Sequence, residues 1–156
     1  MSGKLAVSLI FLTALIAGAA MYYLQLYAFY DELDPDAVEI RLIARGSQRP
    51  APLPVENLTA IDASSSPLRF RACFAVGSDK AALAAEFMPY DAPEPLVAPG
   101  WFDCFDAREI GQALEQGAAL AFLSQENIRD GVDRVVAVMD DGRGFAWHQL
   151  NETYRD

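Results

Sequence analysis

The stretch Arg134–Leu150, RVVAVMDDGRGFAWHQL, decides the fold. From Arg134 to Met139 apolar side chains fall on both faces, the pattern of a strand covered on each side. Asp140-Asp141-Gly142-Arg143 is turn chemistry, because an Asp-Gly pair tolerates positive φ. Gly144 to Leu150 then returns as a second strand, and the whole reads as an antiparallel hairpin.

Upstream, Leu68 to Val76 (LRFRACFAV) is the clearest further strand. Leu68, Phe70, Ala72 and Phe74 share one face, and Arg69, Arg71 and Cys73 share the other. Ala118 to Leu123 is a short apolar run that reads as a strand, and Ser124 to Asp133 as polar connection. Val38, Ile40, Leu42 and Ala44 alternate with Glu39, Arg41 and Ile43, which is again strand periodicity. Gly46 to Pro54 reads as an extended loop. Val55 to Ala63 stays open between a helical turn carrying Leu58 and Ile61 and a loop.

Two short helices complete the pattern. Asp79 to Met88, opened by Ser78, puts Leu83, Ala84 and Phe87 on one side. Ala107 to Gln116 follows Asp106 and Glu109, which are spaced as a capping box, and Gly117 supplies its left-handed stop. Between them, Pro89, Pro93, Pro95 and Pro99 stiffen a loop. Trp101, Phe102 and Phe105 follow around Cys104 and read as core, with an exposed partner patch as the alternative. The expectation is one α+β domain over residues 31–156, with an antiparallel sheet of about five strands and two short helices.

Ahead of that domain, Leu5 to Tyr30 (LAVSLIFLTALIAGAAMYYLQLYAFY) contains no charged side chain. As a helix rising about 1.5 Å per residue it would be roughly 39 Å long, enough to cross a hydrocarbon core about 30 Å thick. Lys4 precedes it, while Asp31, Glu32, Asp34 and Asp36 follow, so residues 1–4 are expected to stay cytoplasmic and the domain to cross. Residues 5–30 would then meet membrane lipid. The rival is a signal peptide cleaved at Ala17-Gly18-Ala19, but Met21, Tyr22, Tyr23, Leu24 and Leu26 carry the apolar run past that site. All 22 acidic residues and eleven of the twelve basic ones lie beyond the span, a formal charge of −11 there. Such a surface repels nucleic acid and suits a cationic partner.

Chemistry-bearing residues are few. Cys73 and Cys104 are an even pair in a small exported domain, expected to form a disulfide, with free thiols or a thiol or metal site as alternatives. Arg69 and Arg71 on one strand face could hold a carboxylate or phosphate, although pairing with surface acids is the simpler reading. His148 is the sole histidine and sits beside Trp147 in the last strand. Catalysis there would need a nucleophile or carboxylate within reach. No G-x-S-x-G, phosphate loop, dinucleotide fingerprint or clustered ligand set occurs, so no catalytic residue, metal or cofactor is expected.

At SSPLRFRACF, APGWFDCFDAREIG, AFLSQENI, GVDRVVAV and DGRGFAWHQ the chain resembles an uncharacterised family of single-span bacterial proteins, some of which carry a histidine kinase label. That resemblance implies an inner-membrane protein with a small periplasmic domain. The kinase label has no counterpart in these residues: glycine boxes for ATP are missing, and the one histidine lies in a strand on the exported side. The function expected is a non-enzymatic accessory, assembly or scaffold subunit of a larger inner-membrane complex. The alternative is a periplasmic small-ligand binding or sensing module. Arg69, Arg71, Trp101 and His148 are the residues expected to contact a ligand or partner.

Overall fold

The computed structural model describes residues 2–154. Ser2 caps helix α1 (Gly3–Tyr23), which passes into a π-helical turn at Leu24–Ala28. No residue of α1 is buried. The helix is long and apolar enough to cross a membrane, a description that a signal sequence also meets.

The head that follows is mixed α and β. Strands β1 (Asp31–Glu32), β4 (Val55–Asp62), β5 (Arg71–Val76), β6 (Ala119–Arg129), β7 (Val132–Met139) and β8 (Arg143–Leu150) form one antiparallel sheet. Their order is β1-β4-β5-β8-β7-β6. Strands β2 (Arg41–Ile43) and β3 (Pro50–Pro52) make a separate two-stranded ribbon, fastened to β6 where Ser124 Oγ donates to Arg41 O at 2.6 Å. The outer edge of β6 is also covered: Leu123 N donates to Met88 O and Tyr90 N to Ala121 O.

Both sheet faces carry a core, which is why β7 is apolar on each side. Val136 and Val138 point into a cluster with Ile40, Leu42, Phe70, Phe74, Phe122 and, from helix α2 (Lys80–Glu86), Leu83. Val135 and Ala137 point the other way, to Phe105, Phe145, Trp147 and Ile110 of helix α3 (Ala107–Glu115). Gly142 at φ +85° closes the β7–β8 turn. Gly144 is required by close approach, since a Cβ there would sit 2.1 Å from the ring of Phe74.

Several elements differ from the sequence expectation, each for a physical reason. Val55–Asp62 is strand, not helical turn or loop; a bulge between Glu56 and Thr59, with Asn57 at φ +52°, breaks its alternation. The segment Ser124 to Arg129, read as polar connection, continues β6, with irregular pairing to β7 beyond Leu123. A short strand, β3, falls inside the anticipated Gly46–Pro54 loop. The acidic stretch after the helix is not merely a polar exit, for Asp31 and Glu32 pair with Asp62 and Ile61. Asp79, not Ser78, occupies the N-cap of α2. Asp106 caps α3 by accepting from Arg108 N and Glu109 N, while Glu109 reaches Arg143 at 2.8 Å instead of closing the box.

Residues between α2 and α3 form an irregular strap over the α3 face of the sheet. A disulfide joins Cys73 of β5 to Cys104 at the end of this strap, 31 residues later. Its removal by the double change Cys73→Ala and Cys104→Ala is expected to lower stability by about 3–4 kcal/mol through the freedom regained by the unfolded chain. Urea unfolding of bridged protein and variant, compared by midpoint and slope, checks this; coincident curves would contradict it.

Candidate functional site

At one end of the sheet, the residues after β4 and the β6–β7 turn border an open groove of about 730 Å³. Its charged lining comprises Asp31, Asp62, Arg129, Asp130 and Arg134, with His148 in the wall. Register builds its centre, because the β7–β8 pairing sets Arg134 opposite His148. Arg134 Nε donates to His148 Nε2 at 3.0 Å, and His148 Nδ1 therefore donates to Pro67 O at 2.7 Å. The Phe70 ring stacks on His148 at 4.7 Å and lies 4.1 Å from the Arg134 guanidinium carbon. Arginine, imidazole and phenyl ring thus hold one another in place.

The electrostatics follow from this packing. Burial, then the field of Arg134, pushes His148 down to about 4, against the opposing pull of the Pro67 carbonyl; Arg71 and Arg129 add to the depression. His148 is neutral near pH 7, with both ring nitrogens committed. It cannot take a proton from a neighbouring hydroxyl without breaking a bond it already makes. Asp62 is half-buried, and that burial raises its carboxyl, opposed by the Ala63 amide and then by Arg134, Arg129 and Arg71. Among the described residues, no carboxylate lies at ion-pair distance from Arg129 or Arg134, and neither Nη of Arg134 has a hydrogen-bond partner. A preoriented guanidinium fork facing a groove is suited to a carboxylate or phosphate. No three His, Cys, Asp or Glu side chains among the described residues converge as a metal-ligand set.

The residues singled out from sequence are dispersed. Arg71 is buried and does not pair with surface acids: Nε donates to Leu96 O, Nη1 to Leu68 O and Phe70 O, and Nη2 to Val97 O. Burial lowers its pKa to about 10, so it remains charged near neutrality. Arg69 turns to the N-terminal helix instead, donating to Gln25 O at 3.3 Å with its guanidinium 5.2 Å from the Tyr30 ring. Neither arginine lines the groove. Trp101 is half-buried at the helix junction, donating to Leu26 O and packing against Tyr27 and Tyr30. It belongs to neither core cluster, whereas Phe105 does. Cys73 and Cys104 are joined, so neither offers a thiol.

Sequence reasoning missed Asp62, Arg129 and Arg134 as groove residues. A signal for Arg134 was present: a hairpin centred on Asp141 places 134 opposite 148 by counting outward. Asp62 had none, because its strand was unrecognised.

A family model described as Family of unknown function (DUF6446) matches residues 40–156, taking in β2 to β8 but not α1. No curated protein and no solved structure matches the chain.

The His148 environment sets a pH dependence. Its folded pKa lies below the unfolded value of 6.5, so the neutral form's contribution is complete above 6.5 and is lost as pH falls toward 4. Between pH 7.5 and pH 5 this costs about 2 kcal/mol. Chemical denaturation across that range should show a loss of this size that His148→Gln reduces; an unchanged slope in the variant would refute the assignment.

Proposed function

The chain belongs to the DUF6446 family of unknown function, and we propose that this member is a non-enzymatic, membrane-anchored accessory subunit of a larger bacterial inner-membrane complex. Residues 1–4 lie in the cytoplasm, the helix is held in lipid, and the acidic head docks a partner on the periplasmic side. One observation carries this reading. The last carbonyls of the helix are capped by the head itself, Gln25 O by Arg69 and Leu26 O by Trp101. The head is coupled to the helix end without a slack linker, as a presenting device requires. Cleavage at Ala17-Gly18-Ala19 would leave Met21, Tyr22, Tyr23 and Leu24 exposed beside the head with nothing to cover them, which favours a retained helix. Lys4 in the first turn of the helix, ahead of its uncharged run, and the acids after it favour the stated direction.

A second reading rests on Arg134. Its clamped guanidinium favours a periplasmic binding module for small anionic ligands, with Arg129 and Arg134 in the role first given to Arg69 and Arg71.

Two measurements test these readings. Carbonate-washed membranes should retain the protein with its amino terminus intact, and gentle detergent extraction should recover a stoichiometric partner. Mature protein starting near Ala20 and released by the wash would overturn the anchored reading. For the groove, inorganic phosphate and acetate titrated into solubilised full-length protein should shift the His148 ring resonances, and Arg134→Gln should abolish the shift. Equal behaviour of variant and parent would remove the second reading.

A further inference from the structure

We propose that the loop of residues 95–101 is a second membrane contact, seating Val97 in the interfacial layer of the same bilayer that α1 enters. Val97 is 80% exposed, more than any other large hydrophobic side chain described, including those of α1. Among the other described residues of the head, only Leu150 and Tyr154 are exposed large hydrophobics, and Tyr154 is tied by its hydroxyl to Asp130.

The exposure is built in. Arg71 holds the backbone on both sides of the tip, through Leu96 O at 2.8 Å and Val97 O at 3.1 Å. Buried Gln149 fixes the approach by accepting from Glu94 N at 2.8 Å. Pro95 and Pro99 restrict φ on either side. A side chain held out this firmly is presented to something apolar.

The location of the loop identifies what that is. Trp101 closes the loop with its indole N–H on Leu26 O and its ring against Tyr27 and Tyr30. Arg69 reaches Gln25 O at the same turn of the helix. An aliphatic tip, an indole, tyrosines and a guanidinium gathered at one end of an apolar helix match the composition of a lipid headgroup boundary. Every copy of the chain carries this helix, so the bilayer surface is within reach whether or not a protein partner is bound.

The inference rests on the retained anchor, and the test separates the two. Full-length protein in phosphatidylcholine nanodiscs would carry a nitroxide on Val97→Cys, the only free thiol because Cys73 and Cys104 are bridged. Parallel labels go on Leu12→Cys within α1 and on Glu115→Cys at the end of α3, near the opposite end of the sheet. Power saturation should give position 97 a several-fold higher ratio of oxygen to nickel-chelate accessibility than position 115. A ratio at 97 equal to that at 115, with position 12 lipid-buried, overturns the loop contact and leaves the anchor standing. A label at 97 shielded from both reagents means a protein covers it, which also overturns the proposal. Water-like accessibility at position 12 removes anchor and loop contact together.

Discussion

A single buried cation organises the side of the head nearest the helix. The four carbonyls that accept from Arg71 belong to irregular backbone, which no strand or helix satisfies. Unpaired buried carbonyls are costly, and so is a guanidinium removed from water. Here each cancels the other's penalty, with Asp62 adding a longer-range attraction. Five N–H donors in a planar fork let one side chain serve all four acceptors, one more than the three donors of a lysine ammonium could reach. The loop that crosses the sheet between α2 and α3 has a fixed course for this reason, although it lacks regular structure.

Three further ties act on the same loop. Gln149 accepts from Glu94 N and from the Trp147 indole, and donates to Ala92 O. Tyr90 donates to Asp133, which also accepts from Asn127 N and Asn151 Nδ2. The disulfide closes the far end. The loop thereby covers Trp147 and Phe145 as a helix would, and α3 needs only Ile110 fully buried to complete that layer.

Much of this architecture is legible from local pattern. The hairpin at 134–150, the alternation from Arg71 to Val76 and the cap at Asp106 are set by residues within a few positions of one another and stand in the structure, whereas Leu68 to Phe70, read as the start of the same strand, lie in turn and irregular backbone ahead of β5. What escapes is non-local or irregular. The period of β4 is interrupted at Asn57, so no alternation survives to be read. The polar half of β6 lies beyond the apolar cover, and its composition matches that of a loop. Arg71 resembles a surface arginine because its acceptors Leu96 and Val97 lie 25 and 26 residues further along. The groove depends on which residue of β7 faces which residue of β8, a property of register more than of composition.

The widened turn at Leu24–Ala28 has a mechanical corollary. Two of its carbonyl oxygens are occupied by head side chains, so helix and head turn together as a key turns with its shaft. One extra residue ahead of Leu24 would rotate everything downstream by about 100° relative to the rest of the helix. The azimuth at which the acidic surface addresses its surroundings is thus encoded by residue count along the helix.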